Sequence, residues 1–440
     1  MSRYDIVMQY FNEQKEENER ITNEGIEKYR KGDFSVILDG ENELPENINV
    51  EIEQLDHEFR FGANLFMLNE FDDEWKNEIY KEKFINLFNL ATLPFYWNAT
   101  EPEKRHYRFD KDSEKLYRRP PIDLCMEFCE KHGIEPKLHC LNYDSHAPEW
   151  TWNLSNDELK SELENRFKMI GERYGERIPS IEVTNETLMA KHHTSFFMED
   201  DFVEWSFKTA DKYFKNNQLI INDFNLWDPS SHNRNYYYMQ IERLLNNGIT
   251  HLDTIGMQFH CFFSENDEVK HAYQKFNPQR LRELFDLFAK LNKNMQITEM
   301  TIPARSWDPE NEMIQAELTT NLYKVLFSYP NMNAIIYWNL VDGYGYMPQG
   351  GEPGDMTKGE NIYYGGFLRY DMTEKPVYKA LDDLINREWH TSVNSKVNNG
   401  QFDFRGFYGK YRIKVSSSKG EKTFTTCFSK GSDNVFKIKI

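Results

Sequence analysis

From Phe59 onward, short apolar runs alternate with longer segments whose apolar residues recur at helical spacing. Each apolar run has the length and β-branched or aromatic character of a strand, and a segment long enough for a helix follows it. Eight such strand–helix units in roughly 330 residues are typical of a (β/α)8 barrel, an α/β fold whose strands are all parallel. The predicted strands lie at residues 59–64, 89–95, 134–140, 178–184, 218–222, 253–258, 294–299 and 333–338.

Three of the helical segments have clear start signals. Ser155 is followed three positions later by Glu158, which is a capping box. Asn-Pro at 277–278 and Asp-Pro at 308–309 each offer an N-cap residue and a proline at the first helical position. A doubly wound sheet is the alternative arrangement, but no glycine-rich phosphate turn follows the first strand, so the barrel is favoured.

The flanks of this repeating region differ from it in composition. Residues 4–30 are predicted to form a polar helix, and the β-forming runs 34–38 and 48–52 are predicted to pair as a small hairpin. Residues 391–440 are rich in Gly, Ser, Lys and β-formers, which predicts a small antiparallel β module. It either packs on the barrel, the favoured interpretation, or binds glycan. The predicted domains are therefore residues 1–58, 59–390 and 391–440.

Net charge and cysteine usage exclude several classes of partner. The chain carries a formal charge of −19 with no cluster of Lys and Arg, which argues against nucleic acid and anionic membranes as partners. Aromatic residues make up 15% of the chain and could be core rings or a surface that stacks on sugars. The cysteines are five, an odd number, and scattered, which argues against a disulfide framework.

The beginning of the given sequence has no apolar leader segment, and no run reaches the roughly 18 apolar residues of a membrane span. The sequence as given therefore predicts a cytoplasmic protein. If a leader precedes the given residues, the prediction changes to a secreted protein. The oligomeric state is not predicted.

Two predicted strands end in glutamates. The run Ile181–Thr187 delivers Asn185 and Glu186 at its end, and the run Met295–Met300 delivers Glu299. In a parallel barrel these ends meet at one rim, where the active sites of such barrels lie. Cleavage of a glycosidic bond typically needs two carboxylic acids, and two strand ends at one rim can supply them.

Other polar and aromatic residues follow the predicted strands at the same rim. Alone, each could be an ordinary core residue, but the set as a whole indicates a carbohydrate site. A zinc site built from the two rim histidines and the glutamates, or from His192 and His193, is the rival interpretation. The sequence lacks the spacing of such a site, so we predict neither metal nor cofactor. The candidate substrate-binding residues at the rim are Tyr96, His139, Tyr143, Asp144, Asn185, Gln258, His260, Trp338 and Tyr346.

These residues and their order resemble family 10 of the glycoside hydrolases, the endo-β-1,4-xylanase family, over roughly residues 57–387. Residues 139–150 are similar to the family's His-x-Leu-Val-Trp-His-x-Gln-x-Pro-x-Trp segment, and Asn185-Glu186 to its acid/base motif. Further similarities are Ile220–Asn225, Gln258-x-His260, Ile297-Thr-Glu299, Trp338 and Lys375-Pro-x-Tyr378.

The resemblance implies roles for individual residues. Glu186 would be the general acid/base and Glu299 the nucleophile of a retaining mechanism, whose two carboxyls lie about 5–5.5 Å apart. Asn185 would hydrogen-bond the 2-hydroxyl of the sugar being cleaved, and His260 would orient Glu299. His139 and Trp338 would line the same subsite.

The chain also departs from the family pattern around the sugar. Tyr143 stands where the family has Trp, Asp144 where it has its second His, and Thr301 where it has Asp. The family's Glu-Asn-x-x-Lys-Trp motif on strand two is replaced by Leu93–Trp97, and Tyr346 aligns with a Trp beyond strand eight. These departures concern the subsites for the glycone, not the two catalytic acids.

We therefore expect a retaining glycoside hydrolase that acts on β-1,4-linked glycans of xylan type or their oligosaccharides. The alternative is an exo-acting enzyme of the same mechanism that acts on a different β-linked oligosaccharide or glycoside. A glycan-binding protein that has lost activity is less favoured, because both glutamates, Asn185 and His260 are present.

Overall fold

The computed structural model describes residues 2–39, 48–189, 191–228, 234–348, 350–397 and 400–439. The strands are β1 Lys31–Asp39, β2 Ile48–His57, β3 Arg60–Asn64, β4 Leu90–Pro94, β5 Glu135–His139, β6 Ser180–Asn185, β7 Gln218–Asp223, β8 Thr254–His260, β9 Asn294–Thr301, β10 Met332–Tyr337, β11 Ser392–Val397, β12 Gln401–Phe407, β13 Gly409–Ser417, β14 Gly420–Phe428 and β15 Val435–Lys439. The α-helices are α1 Arg3–Glu13, α2 Lys15–Tyr29, α3 Glu74–Leu87, α4 Trp97–Thr100, α5 Ile122–His132, α6 Asn156–Tyr174, α7 Phe202–Tyr213, α8 Tyr236–Asn246, α9 Glu268–Lys275, α10 Pro278–Ala289, α11 Pro309–Ser328 and α12 Pro376–Asp383.

Strands β3 to β10 close into a parallel barrel in the order β10-β3-β4-β5-β6-β7-β8-β9, and β10 pairs with β9 to complete the ring. The predicted (β/α)8 barrel is therefore confirmed. Each strand lies within two residues of its predicted position because both of its faces are buried and turn residues bound it. The three predicted start signals also form, since the side chains of Ser155, Asn277 and Asp308 accept hydrogen bonds from the first turns of α6, α10 and α11.

The predicted hairpin of the two N-terminal strands is wrong. Strand β1 pairs with β12 and β15, whereas β2 pairs with β11 and β13. The two strands therefore belong to opposite sheets of one sandwich, a three-stranded sheet β12-β1-β15 and a four-stranded sheet β11-β2-β13-β14. A two-residue alternation tells which face of a strand is buried but not which strand lies beside it, and here both buried faces point into one core.

The sandwich core joins the two ends of the chain. Phe34 on β1 stacks on Phe428 on β14 with ring centroids 4.4 Å apart, and Ile52 on β2 is buried in the same cluster. The antiparallel pairing predicted for the C-terminal strands is present in β11 to β14, while β15 runs parallel to β1. The division of the chain at residues 58 and 390 stays a prediction, with both outer parts contributing strands to one sandwich.

The N-terminal helical region forms two helices rather than the single predicted one, with a break at Gln14, whose ψ is 39°. Helix α1 docks on the barrel through Arg3, whose guanidinium lies 3.0 Å from the Glu268 carboxylate on α9. At the end of α2, the Arg30 guanidinium donates to the carbonyl oxygens of Phe327 and Met332. None of the helices among the described residues combines the length and the apolar character needed to cross a bilayer.

Candidate active site

A cavity of about 590 Å³ opens at the rim where the barrel strands end. All of the predicted site residues except Asp144 line it: Tyr96, His139, Tyr143, Asn185, Glu186, Gln258, His260, Glu299, Trp338 and Tyr346. The strands β5, β6, β8, β9 and β10 bring these side chains to one place because all of them run in the same direction. The prediction of a single rim site from strand ends is therefore consistent with the geometry.

Glu186 follows β6 in a left-handed backbone conformation, with φ of 52°. Such a conformation is uncommon for a residue with a side chain, and a hydrogen bond of 3.0 Å from its N–H to the Asn222 carbonyl holds it here. Its carboxylate accepts hydrogen bonds from the Tyr143 hydroxyl at 2.6 Å and from the Gln258 amide at 3.1 Å. Burial raises the pKa of Glu186, which favours the protonated form that a general acid needs.

Glu299 on β9 is buried, with 3% of its surface exposed. Its two oxygens accept from Asn222 Nδ2 at 2.9 Å and from His260 Nε2 at 3.0 Å. Burial raises the pKa of Glu299 to about 8, and the nearby His139 ring opposes this rise. Neighbouring carboxylates, Glu182 and Glu186, raise it further, so the rim glutamates titrate as interacting groups rather than singly.

The His260 ring is fixed in one tautomer. Burial lowers the pKa of His260 to about 4, so the ring is neutral at physiological pH and carries one proton. An ionised Glu299 can only accept, so with Glu299 as carboxylate the proton lies on Nε2 and Nδ1 accepts from the Thr301 hydroxyl, 3.0 Å away. Thr301, one of the departures from the family pattern, is therefore the residue that orients His260.

Side-chain amides connect the two glutamates. Thr298 Oγ1 donates to Asn222 Oδ1 at 2.6 Å, so the amide nitrogen of Asn222 must face the other way. That nitrogen donates both to Glu299 and to Asn185 Oδ1, the latter at 2.9 Å. Asn185 Oδ1 also accepts from Gln258 Nε2 at 3.0 Å. Within the described part of the chain, the NH2 group of Asn185 has no protein acceptor and can donate to a bound hydroxyl.

Beneath the glutamates lies a buried charged cluster. Lys137 donates to the Glu182 carboxylate, and His139 Nδ1 lies 3.0 Å from the other oxygen of Glu182. Burial opposes ionisation of Glu182, but the charge of Lys137 and the contact with His139 lower its pKa. With Nδ1 donating to Glu182, His139 Nε2 accepts from the Tyr96 hydroxyl at 3.0 Å. This chain fixes the Tyr96 ring at the cavity wall.

Trp338 supplies an aromatic wall. Its ring centroid lies 5.6 Å from that of His139 and 5.5 Å from that of His260, and its Nε1 donates to Glu360 at 3.3 Å. Only 5% of Trp338 is exposed, so one limited ring surface faces the cavity. A flat apolar surface beside two carboxylates is suited to the C–H face of a sugar ring.

Asp144 was predicted to bind substrate, and the structure corrects this. Its carboxylate accepts from the backbone N–H groups of His193 and Thr194, at 2.5 and 3.0 Å, and from the Thr194 hydroxyl at 2.5 Å. Asp144 therefore holds the loop after β6 and is 3% exposed. The 3-10 turn at residues 144–146 directs it away from the cavity and brings His146 to the wall beside Tyr96, with ring centroids 4.1 Å apart.

Several cavity residues lie outside the sequence prediction. Arg118, Arg119 and Glu360 lie in the loops between α4 and α5 and after β10, and these have no sequence signal beyond a position in a loop that follows a barrel strand. Ser145 and His146 belong to the 139–150 segment and Phe224 to the 220–225 segment, but they are not among the predicted site residues, and the others lie between β8 and the end of α9. The complete set is Arg118, Arg119, Glu360, Ser145, His146, Phe224, Phe262, Phe263, His271 and Lys275.

A metal is poorly suited to this site. Potential ligand atoms of His139, Glu182 and Glu299 lie within 4.8 Å of one another. However, Lys137 already contacts Glu182, and a cation beside a metal ion would repel it. The other candidate metal ligands, His192 and His193, contact different aromatic rings. The ring of His193 stacks on Trp152 at 4.7 Å, while that of His192 faces Phe197 at 6.4 Å.

The fold and the cavity together define a (β/α)8-barrel protein with two carboxylates at the ends of β6 and β9. The family model described as glycosyl hydrolase family 10 matches residues 65–383, which is most of the chain. The chain belongs to this family.

Individual relatives are distant. The anti-sigma-I factor RsgI6 of Acetivibrio thermocellus is 25% identical over 431 residues, covering 93% of this chain and 48% of that protein. Endo-1,4-beta-xylanase A of Halalkalibacterium halodurans is 24% identical over 324 residues, covering 65% of this chain and 76% of that protein. The chain thus spans about half the length of the first relative, and 32% of endo-1,4-beta-xylanase 2 of Arabidopsis thaliana.

Solved structures agree with the fold. Xylanase 10B from Thermotoga petrophila, determined in complex with xylobiose, superposes with a TM-score of 0.58 at 21% identity. The match covers 75% of this chain and 95% of that one. Native xylanase 10B from Thermotoga maritima gives the same TM-score at 22% identity, with 75% and 96% covered.

Proposed function

We propose that the protein hydrolyses β-1,4-linked glycans of xylan type, or their oligosaccharides, with retention of configuration. The observation that carries the proposal is the pair Glu186 and Glu299 in one cavity, joined through the amides of Asn222, Asn185 and Gln258. Family membership and relatives named as xylanases support the same reaction and substrate class.

In the first step, Glu299 in its ionised form attacks the anomeric carbon through a carboxylate oxygen as the bond to the glycosidic oxygen breaks. With the pKa of Glu299 raised to about 8, the reactive fraction grows as pH rises towards that value. Glu186 transfers its proton to that oxygen, and the shortened chain leaves with a free hydroxyl. His260 and Asn222 orient Glu299 for the attack through their hydrogen bonds. The NH2 group of Asn185 donates to the 2-hydroxyl of the sugar, a contact that strengthens as charge develops at the ring.

In the second step, Glu186 accepts a proton from water, whose oxygen attacks the anomeric carbon and releases Glu299. Formation of the ester removes the negative charge of the Glu299 carboxylate, and loss of a neighbouring negative charge lowers the pKa of a carboxyl group. Glu186 therefore ionises more readily at this stage and can act as a base. Tyr143 and Gln258 stabilise the carboxylate form of Glu186 by donating hydrogen bonds to it.

Azide rescue tests the assignment of the two glutamates. We expect Glu299→Ala to abolish turnover of aryl β-xylosides and xylo-oligosaccharides, and sodium azide to restore it with an α-glycosyl azide as product. Rescue that gives a β-glycosyl azide would contradict the assignment of Glu299 as nucleophile. Lys324→Ala, which removes a half-buried charge on α11 that pairs with Glu388 and does not line the cavity, is a suitable control.

An exo-acting enzyme for a different β-linked glycoside is the second candidate, because the loops after β4 and β10 depart from the family pattern and place bulky side chains at one end of the cavity. Product lengths from xylan, xylo-oligosaccharides and other β-linked oligosaccharides distinguish the two. A ladder of intermediate products supports endo action, and release of one sugar unit from one end supports exo action.

A further inference from the structure

Arg119 is a cation at the wall of the cavity. Arg119 lies in the loop between α4 and α5, and its guanidinium carbon sits 4.0 Å from the centroid of the Tyr96 ring. Among the described residues, the only hydrogen bond of the guanidinium runs from Nη1 to the Arg118 carbonyl at 2.8 Å, and no carboxylate lies within ion-pair distance of it. The remaining guanidinium N–H groups are therefore free to bind a ligand in the cavity.

The adjacent arginine is used differently. Arg118 Nη1 donates to Asn339 Oδ1 and to the Tyr344 carbonyl, both at 2.7 Å, and its Nη2 lies 3.9 Å from Glu360. These contacts anchor the loop to the segment that follows β10. A left-handed backbone at Arg118, with φ of 60°, turns the chain between the two arginines. Arg118 is therefore a structural residue, whereas Arg119 is not held by any acceptor side chain.

The one acid at this end of the cavity is already engaged. The carboxylate of Glu360 accepts from the Asn339 amide at 2.8 Å, the Tyr346 N–H at 2.9 Å and the Trp338 indole. With Arg118 and Arg119 as cations and Glu360 as the anion, this end of the cavity carries one uncompensated positive charge. The chain as a whole has a net charge of −19, so its composition does not explain a cation in the cavity that lacks a carboxylate partner among the described residues.

Arg119 is close to the proposed reacting groups. The Tyr96 hydroxyl bonds His139 Nε2 at 3.0 Å, and His139 Nδ1 lies 4.0 Å from the Glu299 carboxylate. One aromatic ring and one imidazole thus separate the guanidinium from Glu299. Burial lowers the pKa of Arg119 to about 10, so the group remains charged at neutral pH.

A purely structural role for Arg119 explains less of the arrangement. A cation over a tyrosine ring is a stabilising contact. However, Tyr96 is already fixed by its hydrogen bond to His139 and by packing against Phe66 and His146, at 5.8 and 4.1 Å between centroids. Apart from the Nη1 bond to the Arg118 carbonyl, the stacking leaves the N–H groups at the edge of the guanidinium without an acceptor among the described residues. This edge is the one that binds carboxylates in pairs of hydrogen bonds.

We propose that Arg119 binds a carboxylate carried by the sugar chain, and that the preferred substrates are β-linked glycans bearing a uronic acid. The proposal deepens the proposed function, on which it rests, by naming a substrate class for the same cavity. Arg119 acts as a specificity-determining residue, and it takes no part in breaking the bond.

Binding to the inactive variant Glu299→Gln tests the proposal without turnover. The probes are xylo-oligosaccharides with one glucuronic acid on each successive sugar, each paired with its carboxyl-reduced counterpart, which differs only in the charged group. We expect at least one acidic probe to bind about 10- to 100-fold more tightly than its reduced partner by calorimetry, the range for hydrogen bonds to a charged group. The preference should weaken with added salt.

Adding Arg119→Met to this variant should reduce the preference to within about threefold, while Arg119→Lys should retain part of it because a lysine keeps the charge but not the paired geometry. Arg20→Ala is the matched control, since Arg20 pairs with Glu17 and Glu24 on the exposed face of α2. It removes one positive charge and should leave the preference unchanged. Retained binding of the reduced probes verifies that the Arg119→Met cavity is intact.

Equal affinity for every acidic and reduced pair would overturn the inference, and so would a preference that Arg119→Met leaves in place. These outcomes are separable from failure of the proposed function. Cleavage of neutral xylosides without an acid preference removes only the role of Arg119. Tight, Arg119-dependent binding of an acidic probe that the wild-type protein does not cleave would support this inference and contradict the proposed hydrolysis.

Discussion

At the end of the cavity formed by β6, β7, β8 and β9, the functional side chains lie on the strands or directly after them, and hydrogen bonds fix each one. At the other end, Tyr96, Arg119 and Tyr346 lie on the loops that follow β4 and β10. The first end fits the family pattern except at Thr301, whereas the loops of the second depart from it. The comparison indicates that the barrel frame holds the bond-breaking groups, while the loops carry recognition of the substrate and can change independently.

The largest expected effect concerns the acid at the strand-built end. We expect Glu186→Gln to lower kcat about 10²- to 10⁴-fold on substrates with poor leaving groups, because an amide cannot protonate the departing oxygen. Activated aryl glycosides should be affected much less in the first step, since their leaving groups need no proton. Steady-state kinetics with aryl glycosides of graded leaving-group pKa measure the difference. An equal loss on all of them would remove Glu186 from the acid role.

A smaller loss is expected when the amide network is broken and both glutamates are kept. Asn222→Ala removes the donor that Asn185 and Glu299 share. We expect kcat to fall roughly 10- to 100-fold, as for the loss of hydrogen bonds to a charged group, with a smaller change in KM. Asn225→Ala, on the loop after β7, is a control that leaves these hydrogen bonds in place. A change in KM alone would mean that Asn222 affects binding rather than the orientation of Glu299.

The pH dependence of stability gives an independent view of Glu299. Burial raises its pKa to about 8, so the native state keeps a proton that the unfolded chain, with a glutamate pKa of about 4.3, has lost. Between these values, the native state binds more protons than the unfolded state, and the free energy of unfolding falls as pH rises. Glu299→Gln lacks this titration.

We therefore expect the free energy of unfolding of Glu299→Gln, relative to wild type, to increase from pH 4.5 to pH 8, by on the order of 2 kcal/mol. Below about pH 3.5 the glutamate is protonated in both states, so the relative stability should no longer change. Denaturant unfolding at a series of pH values measures this double difference. A relative stability that stays constant with pH would contradict a raised pKa at this position.

The smallest expected effect concerns Asp144, which holds the loop after β6 and does not line the cavity. Asp144→Ala removes the acceptor for His193 and Thr194, and we expect it to destabilise the fold by about 1–3 kcal/mol, the cost of leaving buried donors unpaired. Preference between acidic and neutral sugar chains should not change. Thermal unfolding and the paired probes measure the two properties, and a shifted preference at unchanged stability would return Asp144 to the substrate-binding set.

The sequence predicted the barrel well because its strands are buried runs bounded by turn residues, and because residues such as Ser155 and Asn277 mark helix starts by local chemistry. It predicted the rim glutamates for a related reason, since strand ends converge in a parallel barrel. The prediction that β1 pairs with β2 was wrong, because the alternation of apolar and polar residues shows which face of a strand is buried but not which strand lies beside it.

The sequence also did not predict the orientation of some side chains or the conformation of the long loops. Asp144 adjoins Tyr143 in the sequence, yet a 3-10 turn sends the two side chains to different places, one into the loop and one to Glu186. Arg119 and Glu360 lie in long connections that have no hydrophobic period, so nothing local indicates that they reach the cavity. Only the packing of these loops over the rim brings them beside Tyr96 and Trp338.

The central claim is that Glu299 is the residue that forms a covalent bond to the sugar. A 2-deoxy-2-fluoro β-xyloside with an activated leaving group slows breakdown of such an intermediate, so that it accumulates. Mass spectrometry of the intact protein, followed by peptide mapping, should find one fluorosugar attached at Glu299 and none in Glu299→Gln. Attachment at Glu186 instead, or turnover of the xyloside by wild type with no covalent adduct and with inverted product, would contradict the account.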